Sequence, residues 1–149
     1  MLQYGHLLGL EFRHGSRDCY EIIRDFYRDN FGIRLRSYAR PDLWWEQGLD
    51  LYQSHYTEEG FSVVDRPEIG DVILMAVNSE VPNHGAVYLG NNKILHHFMN
   101  RRSEECMYKG LWKNTTCVIL HHKDVHVVSP RTLVTLDELE KLRTSKQTS

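Results

Sequence analysis

The sequence predicts an α+β domain in which N-terminal helices pack on a central antiparallel sheet. Three observations predict it. Apolar residues recur at helical spacing behind Cys19, where Ile22, Ile23, Phe26 and Tyr27 line one face. Beyond residue 71 the pattern changes to short runs of strand-favouring residues separated by turn signals such as Gly90-Asn91-Asn92. The 149 residues fit one domain that buries a genuine core without disulfide staples.

In chain order, Met1 to Leu8 reads as a short helix ending near Gly9, and Glu11 to Arg17 as a polar loop. Asp18 is the expected N-cap of a helix that starts at Cys19 and runs to about Phe31, where Asn30 and Gly32 supply stop signals. Residues 33 to 70 are punctuated by Pro41, Gly48, Gly60 and Pro67. Trp44, Trp45, Leu49, Leu51 and Tyr52 give them a weak helical signal, so the reading is a helix-bearing insertion.

Glu68 to Asp71 reads as a turn feeding a strand over Val72 to Val77. Further strands are expected at His84 to Leu89, Lys93 to Phe98, near Met107-Tyr108, and at Thr116 to His121, spaced as an antiparallel meander. Val125 to Val128 can add an edge strand and Leu133 to Leu142 an amphipathic helix, before a frayed end. The expected division is a domain over 1–122 and a C-terminal extension over 123–149.

A net charge of −2 gives no electrostatic reason for nucleic acid or a membrane surface as the main partner. No apolar run approaches the roughly 18 to 20 residues that span a bilayer, and the first residues lack a signal pattern, so a soluble chain made in the cytosol without membrane insertion is expected. Neither an internal repeat nor a low-complexity block is present. The three cysteines, Cys19, Cys106 and Cys117, form no Cys-x-x-Cys pair and cannot all pair with one another. Cys106 and Cys117 are read as structural, with a bridge between them open only in an oxidising compartment.

Cys19 carries the chemical signal. A thiol at a helix N-terminus sits where first-turn N–H groups and the helix dipole favour the thiolate, and a neighbouring imidazole completes a nucleophile. Two downstream histidines lie in strand-like surroundings, His84 and His96, and the turn between their strands decides whether they share a face. A three-residue loop of Gly90, Asn91 and Asn92 pairs Leu89 with Lys93, sets Ala86 opposite His96, and puts His96 diagonal to His84 on one face. A two-residue loop brings His97 opposite Ala86 instead, and periodicity alone does not choose. In the first arrangement His84 is the base and His96 the group that orients it.

Such patterns also arise in inert proteins, where a cysteine opening a helix and a histidine in a strand are ordinary core or surface residues. The doublets His96-His97 and His121-His122 raise a zinc site on adjacent strands, unsupported by a His-Glu-x-x-His element. Trp44-Trp45 is most simply core or groove lining.

The order Asp18-Cys19, then His84-Gly-Ala-Val-Tyr-Leu-Gly-Asn-Asn-Lys-Ile-Leu-His96, resembles the NlpC family of cell-wall cysteine peptidases. Asp18-Cys19-Tyr20, Trp44-Trp45-Glu46, Gly48-Leu49-Asp50-Leu51-Tyr52, Gly70-Asp71-Val72 and Val81-Pro82-Asn83-His84 make the sequence most similar to the NlpC-type domain of tail-assembly and tail-tip proteins of long-tailed bacteriophages. These stretches cover most of residues 9 to 121.

The resemblance implies a papain-like fold with Cys19 as nucleophile, His84 as general base and His96 as the orienting histidine, which selects the three-residue loop. It implies hydrolysis of peptide bonds in peptidoglycan stem peptides without metal or organic cofactor, at the tail tip of a virion, beside other tail-tip or tail-hub proteins. The substrate-groove candidates are Phe12, His14, Asp18, Trp44 and Trp45. Many members carry a tyrosine ahead of the nucleophile whose hydroxyl assists the oxyanion hole. Here Phe12 stands in that position, with His14 as a substitute donor, and losing one such donor costs on the order of 100-fold in rate. A structural tail subunit with a weak or inactive papain-like site is the alternative reading.

Overall fold

The structure is a computed structural model that describes residues 1–36 and 58–125. Helix α1 spans Cys19–Phe31, as the sequence predicts. Its start is fixed by Asp18, whose Oδ1 accepts hydrogen bonds from the Tyr20 and Glu21 backbone N–H groups. Its end is fixed by Gly32, which adopts the left-handed conformation at φ 67°. The expected helix at the N-terminus is reduced to one 3-10 turn over Gly5–Leu7, with no side-chain cap to nucleate anything longer.

The sheet has six strands: β1 (Phe61–Val64), β2 (Val72–Met75), β3 (His84–Gly90), β4 (Lys93–His96), β5 (Glu104–Met107) and β6 (Thr116–His122). Their spatial order is β1-β6-β2-β3-β4-β5, and every neighbouring pair is antiparallel. Strands β2 to β5 follow the expected meander, but β6 returns past them to lie between β1 and β2. A four-residue helix α2 (Leu111–Asn114) makes that return. Strand β2 ends at Met75 rather than Val77, and β4 at His96 rather than Phe98. The C-terminal strand and helix expected beyond residue 125 lie outside the described residues.

Alternation along the strands builds two cores. On one face Val72, Leu74, Val87, Leu95 and Leu120 pack against Ile22, Ile23, Phe26 and Tyr27 of α1, together with Cys19. Burying each such side chain contributes roughly 1.5–3 kcal/mol, which is what holds α1 to the sheet. On the other face Ile73, Met75, Ala86, Ile94 and Tyr108 form a second cluster, flanked by Tyr88, Phe98, Cys106, Trp112 and Ile119.

The β3–β4 hairpin answers the register question in a way the sequence alternatives did not contain. Asn91 and Asn92 have φ 52° and 61°, a two-residue turn of the I′ kind, and Gly90 pairs with Lys93. A bulge between Tyr88 and Gly90 then takes up one residue, so Ala86 still faces His96. Gly90 is needed twice there: its φ is 89°, and a Cβ would come 2.9 Å from Ile69 Cγ1.

Candidate active site

His84 is the first residue of β3 and His96 the last of β4. Each stands two positions from an apolar residue of the second cluster, His84 from Ala86 and His96 from Ile94, and so projects to that face. Their rings meet there, with His84 Nε2 2.9 Å from His96 Nδ1. Both are buried. Trp112, presented by α2, lies against both rings, with its ring centroid 4.5 Å from that of His96, and Phe98 packs edge-on to His84.

Strand β5 supplies a third member. Glu104 is the direct cross-strand partner of His96, and its Oε1 lies 2.9 Å from His96 Nε2. A carboxylate only accepts hydrogen bonds, so it takes the Nε2 hydrogen of His96 and leaves Nδ1 as an acceptor. His84 then donates from Nε2, and its Nδ1 keeps a lone pair. The row His84–His96–Glu104 is thus wired to present one basic nitrogen. Glu104 was not among the predicted site residues.

Burial pushes His84 well below the usual histidine range, and the neighbouring His96 and His97 push in the same direction. His96 is also lowered by burial, which outweighs the opposing hydrogen bond and charge of Glu104. At neutral pH both rings are therefore uncharged, which is the state a proton acceptor needs.

Cys19 opens α1 and belongs to the helix-side cluster. Asp18 is buried beside it, and Asp18 Oδ2 accepts from the Gly15 N–H, which closes the loop that delivers the thiol to the helix start. His97, on the opposite parity from His96, is buried and carries its Nε2 2.9 Å from the Arg101 carbonyl oxygen. Burial lowers its pKa first, against the hydrogen bond to the Arg101 carbonyl and the charge of Asp18.

Phe12 stacks edge-on against His97, with centroids 5.5 Å apart. The segment ahead of it is pinned by Ser103, whose Oγ donates to the Leu7 carbonyl and accepts from the Leu10 N–H. His14 is half-buried in the loop before Asp18. Trp44 and Trp45 lie outside the described residues.

The histidine doublets do not converge on a shared centre. His121 Nδ1 is 2.7 Å from Asp71 Oδ1, whereas His122 packs against Phe61 and Tyr27. Cys106 is a free thiol. Cys106 is more than a core filler, because its Sγ lies 3.4 Å from His96 Nε2. Among the described residues, no helix is long and apolar enough to cross a membrane.

Comparison with known proteins gives the family and the fold. Tail tip assembly protein K of Escherichia phage lambda is 36% identical over 120 residues, covering 79% of this chain and 60% of that protein. The protein of the same name from Escherichia phage N15 is 34% identical over 122 residues, covering 80% of this chain and 50% of its relative. The chain therefore spans only 50% to 60% of the length of these two relatives.

Among solved structures, an NlpC/P60 family protein from Bacillus cereus ATCC 10987 superposes with a TM-score of 0.54 at 17% identity, over 80% of this chain and 37% of that one. At that identity the likeness speaks for the fold, an α+β papain-like one. The family model described as NlpC/P60 matches residues 9–121, and with the two tail-protein relatives it shows that the chain belongs to the NlpC/P60 family, as an NlpC-type domain of a phage tail protein.

Proposed function

We propose that the chain is a cysteine peptidase of a phage tail tip that hydrolyses peptide bonds in peptidoglycan stem peptides, during wall penetration or tail assembly. The observation that carries the reading is the 2.9 Å contact between His84 Nε2 and His96 Nδ1, continued by the equal contact of His96 Nε2 with Glu104. Cys19 enters through its helix-start position and the family pattern. The names of the two phage relatives support a tail-tip location and tail-protein partners.

In this reading the Cys19 thiol gives its proton to His84 Nδ1 as sulfur attacks the scissile carbonyl carbon. The oxyanion forms beside the first turn of α1, where the Cys19 N–H is the backbone donor. His84 then protonates the leaving amine, and water, activated by the same nitrogen, releases the acyl group. Because burial disfavours the imidazolium, the His84 ring rests neutral and able to take a proton. His96 and Glu104 hold the tautomer throughout.

A second reading, a structural tail subunit with a weak site, draws on Phe12. Its ring supplies no hydroxyl where relatives of the family use one, and it packs on His97 instead. Purified protein incubated with defined muropeptides, beside Cys19→Ala, separates the two. Cleavage that disappears in the variant supports the peptidase. No cleavage of any stem type by the wild-type chain sinks it, and Phe12→Tyr then shows whether a restored donor is enough.

A further inference from the structure

We propose that His96 Nε2, the Glu104 carboxylate and Cys106 Sγ form a binding site for a thiophilic divalent cation of the zinc class, and that filling it locks the histidine pair in the tautomer that cannot accept the Cys19 proton. The second half rests on the peptidase reading above. The first half does not.

The register creates the site. Glu104 stands opposite His96, and Cys106 opposite Ile94, so all three side chains project from the same face of the β4–β5 pair. Their donor atoms lie within 4.8 Å of one another, with Cys106 Sγ 3.4 Å and Glu104 Oε1 2.9 Å from His96 Nε2. Zinc bonds of about 2.0–2.3 Å at tetrahedral angles separate neighbouring ligand atoms by roughly 3.3–3.6 Å. The sulfur is already at that spacing. The carboxylate needs to withdraw by only a few tenths of an ångström, and its side chain is 48% exposed, free to swing and open to an entering ion. Water completes the fourth position.

One histidine, one thiolate and one carboxylate are a borderline-soft donor set, which favours zinc over magnesium or calcium. Burial and the charge of Glu104 push the Cys106 thiol up to about 11, so the metal-free cluster is held as S–H and a cation must displace that proton. The proton balance then fixes the consequence. In the empty site His84 carries its hydrogen on Nε2, His96 on Nε2 and Cys106 on sulfur. When a cation takes His96 Nε2, the His96 hydrogen resides on Nδ1 and is donated to His84 Nε2. The His84 hydrogen therefore resides on Nδ1, the very nitrogen that serves as base. One proton, from Cys106, leaves to solvent for each cation bound. The cation is an inhibitor here and takes no part in hydrolysis.

The test titrates cobalt(II) into metal-free protein that carries no His tag. The expected result is one equivalent bound with a thiolate-to-cobalt charge-transfer band, kept in Cys19→Ala and lost in both Cys106→Ala and Cys106→Ser. Glu104→Gln, at a half-exposed position, is expected to weaken binding by about tenfold or more. Nitrogen-15 NMR of the histidine rings reads the second half: zinc should move the His84 hydrogen from Nε2 to Nδ1. A band that survives in both Cys106 variants, one that vanishes in Cys19→Ala, or the lack of saturable binding overturns the site. An unchanged His84 tautomer at saturating zinc overturns the lock. None of these readouts depends on hydrolysis, so a failed muropeptide assay leaves them intact.

Discussion

Acidification from pH 7.5 to 5.5 should destabilise the fold through the buried histidines. His84 is 3% exposed and held neutral by burial first, then by His96 and His97. Its folded pKa lies below the unfolded value, so its contribution to stability is fully present above about 6.5 and is lost as pH falls below it. A histidine that stays neutral when folded while its unfolded counterpart titrates near 6.5 loses about 1.4 kcal/mol between these two pH values, and the unfolded chain binds about 0.8 extra protons per such ring at pH 6.

His96, His97 and His122 are lowered too, each by burial against opposing hydrogen bonds or carboxylates, and act in the same direction. Asp71, whose carboxyl is raised by burial, acts with the opposite sign nearer the carboxylate range, which is why pH 5.5 is the lower limit. Urea unfolding of chelator-treated protein, followed by far-UV circular dichroism at half-unit pH steps, measures the slope. His84→Gln should flatten it by about 0.8 protons at pH 6. A free energy of unfolding that is flat or rising on acidification refutes the reasoning.

Two further predictions concern the devices that place the site. Asp18→Ala removes the acceptor for three backbone N–H groups, of Gly15, Tyr20 and Glu21, and should cost about 1 kcal/mol or more in urea unfolding. A variant as stable as wild type would mean that packing alone sets the helix start. Gly90→Ala puts a Cβ on a residue at φ 89° and 2.9 Å from Ile69 Cγ1, and should cost upwards of about 1 kcal/mol, with Ile69→Ala, which removes both Cγ1 and Cδ1, recovering part of it in the double variant. Strict additivity of the two would count against the contact.

Local chemistry made some of this legible in the sequence and non-local pairing hid the rest. The bounds of α1 follow from a capping aspartate, helical spacing and a glycine stop, all within 15 residues of one another. The two histidines share a face because a bulge between Tyr88 and Gly90 offsets the two-residue turn, and period-two alternation records neither device. The position of β6 could not be read, since nothing in Thr116–His122 records that it pairs with both β1 and β2 across the chain. Strand β1 hid for the same reason, as a four-residue edge with two exposed central positions. Glu104 was missed because it meets His96 only through an irregular connection over 97–103, whose length carries no periodic signal. Trp112 was missed because α2 is a single turn.

The buried histidine row on the sheet face away from the α1 core argues against a purely structural subunit. The α1 side packs apolar side chains around Cys19 and carries no such row. The other side buries two imidazoles that only desolvation cost and a narrow tautomer requirement distinguish from leucines of similar volume. Replacing both partners of a buried hydrogen bond by apolar residues of similar shape is often nearly neutral or stabilising. His84→Leu with His96→Leu should therefore leave unfolding at pH 7.5 unchanged or raise its free energy, and should gain relative to wild type on acidification to pH 5.5, where the wild-type rings resist protonation. Glu104, half exposed, stays solvated in the variant and adds no orphaned charge. If the double variant is stable and assembles into tails normally but loses muropeptide cleavage, the histidine row is there for proton transfer. If it is destabilised by more than about 1 kcal/mol at pH 7.5, the pair's hydrogen bonds belong to the packing, and burial of the row no longer speaks for catalysis.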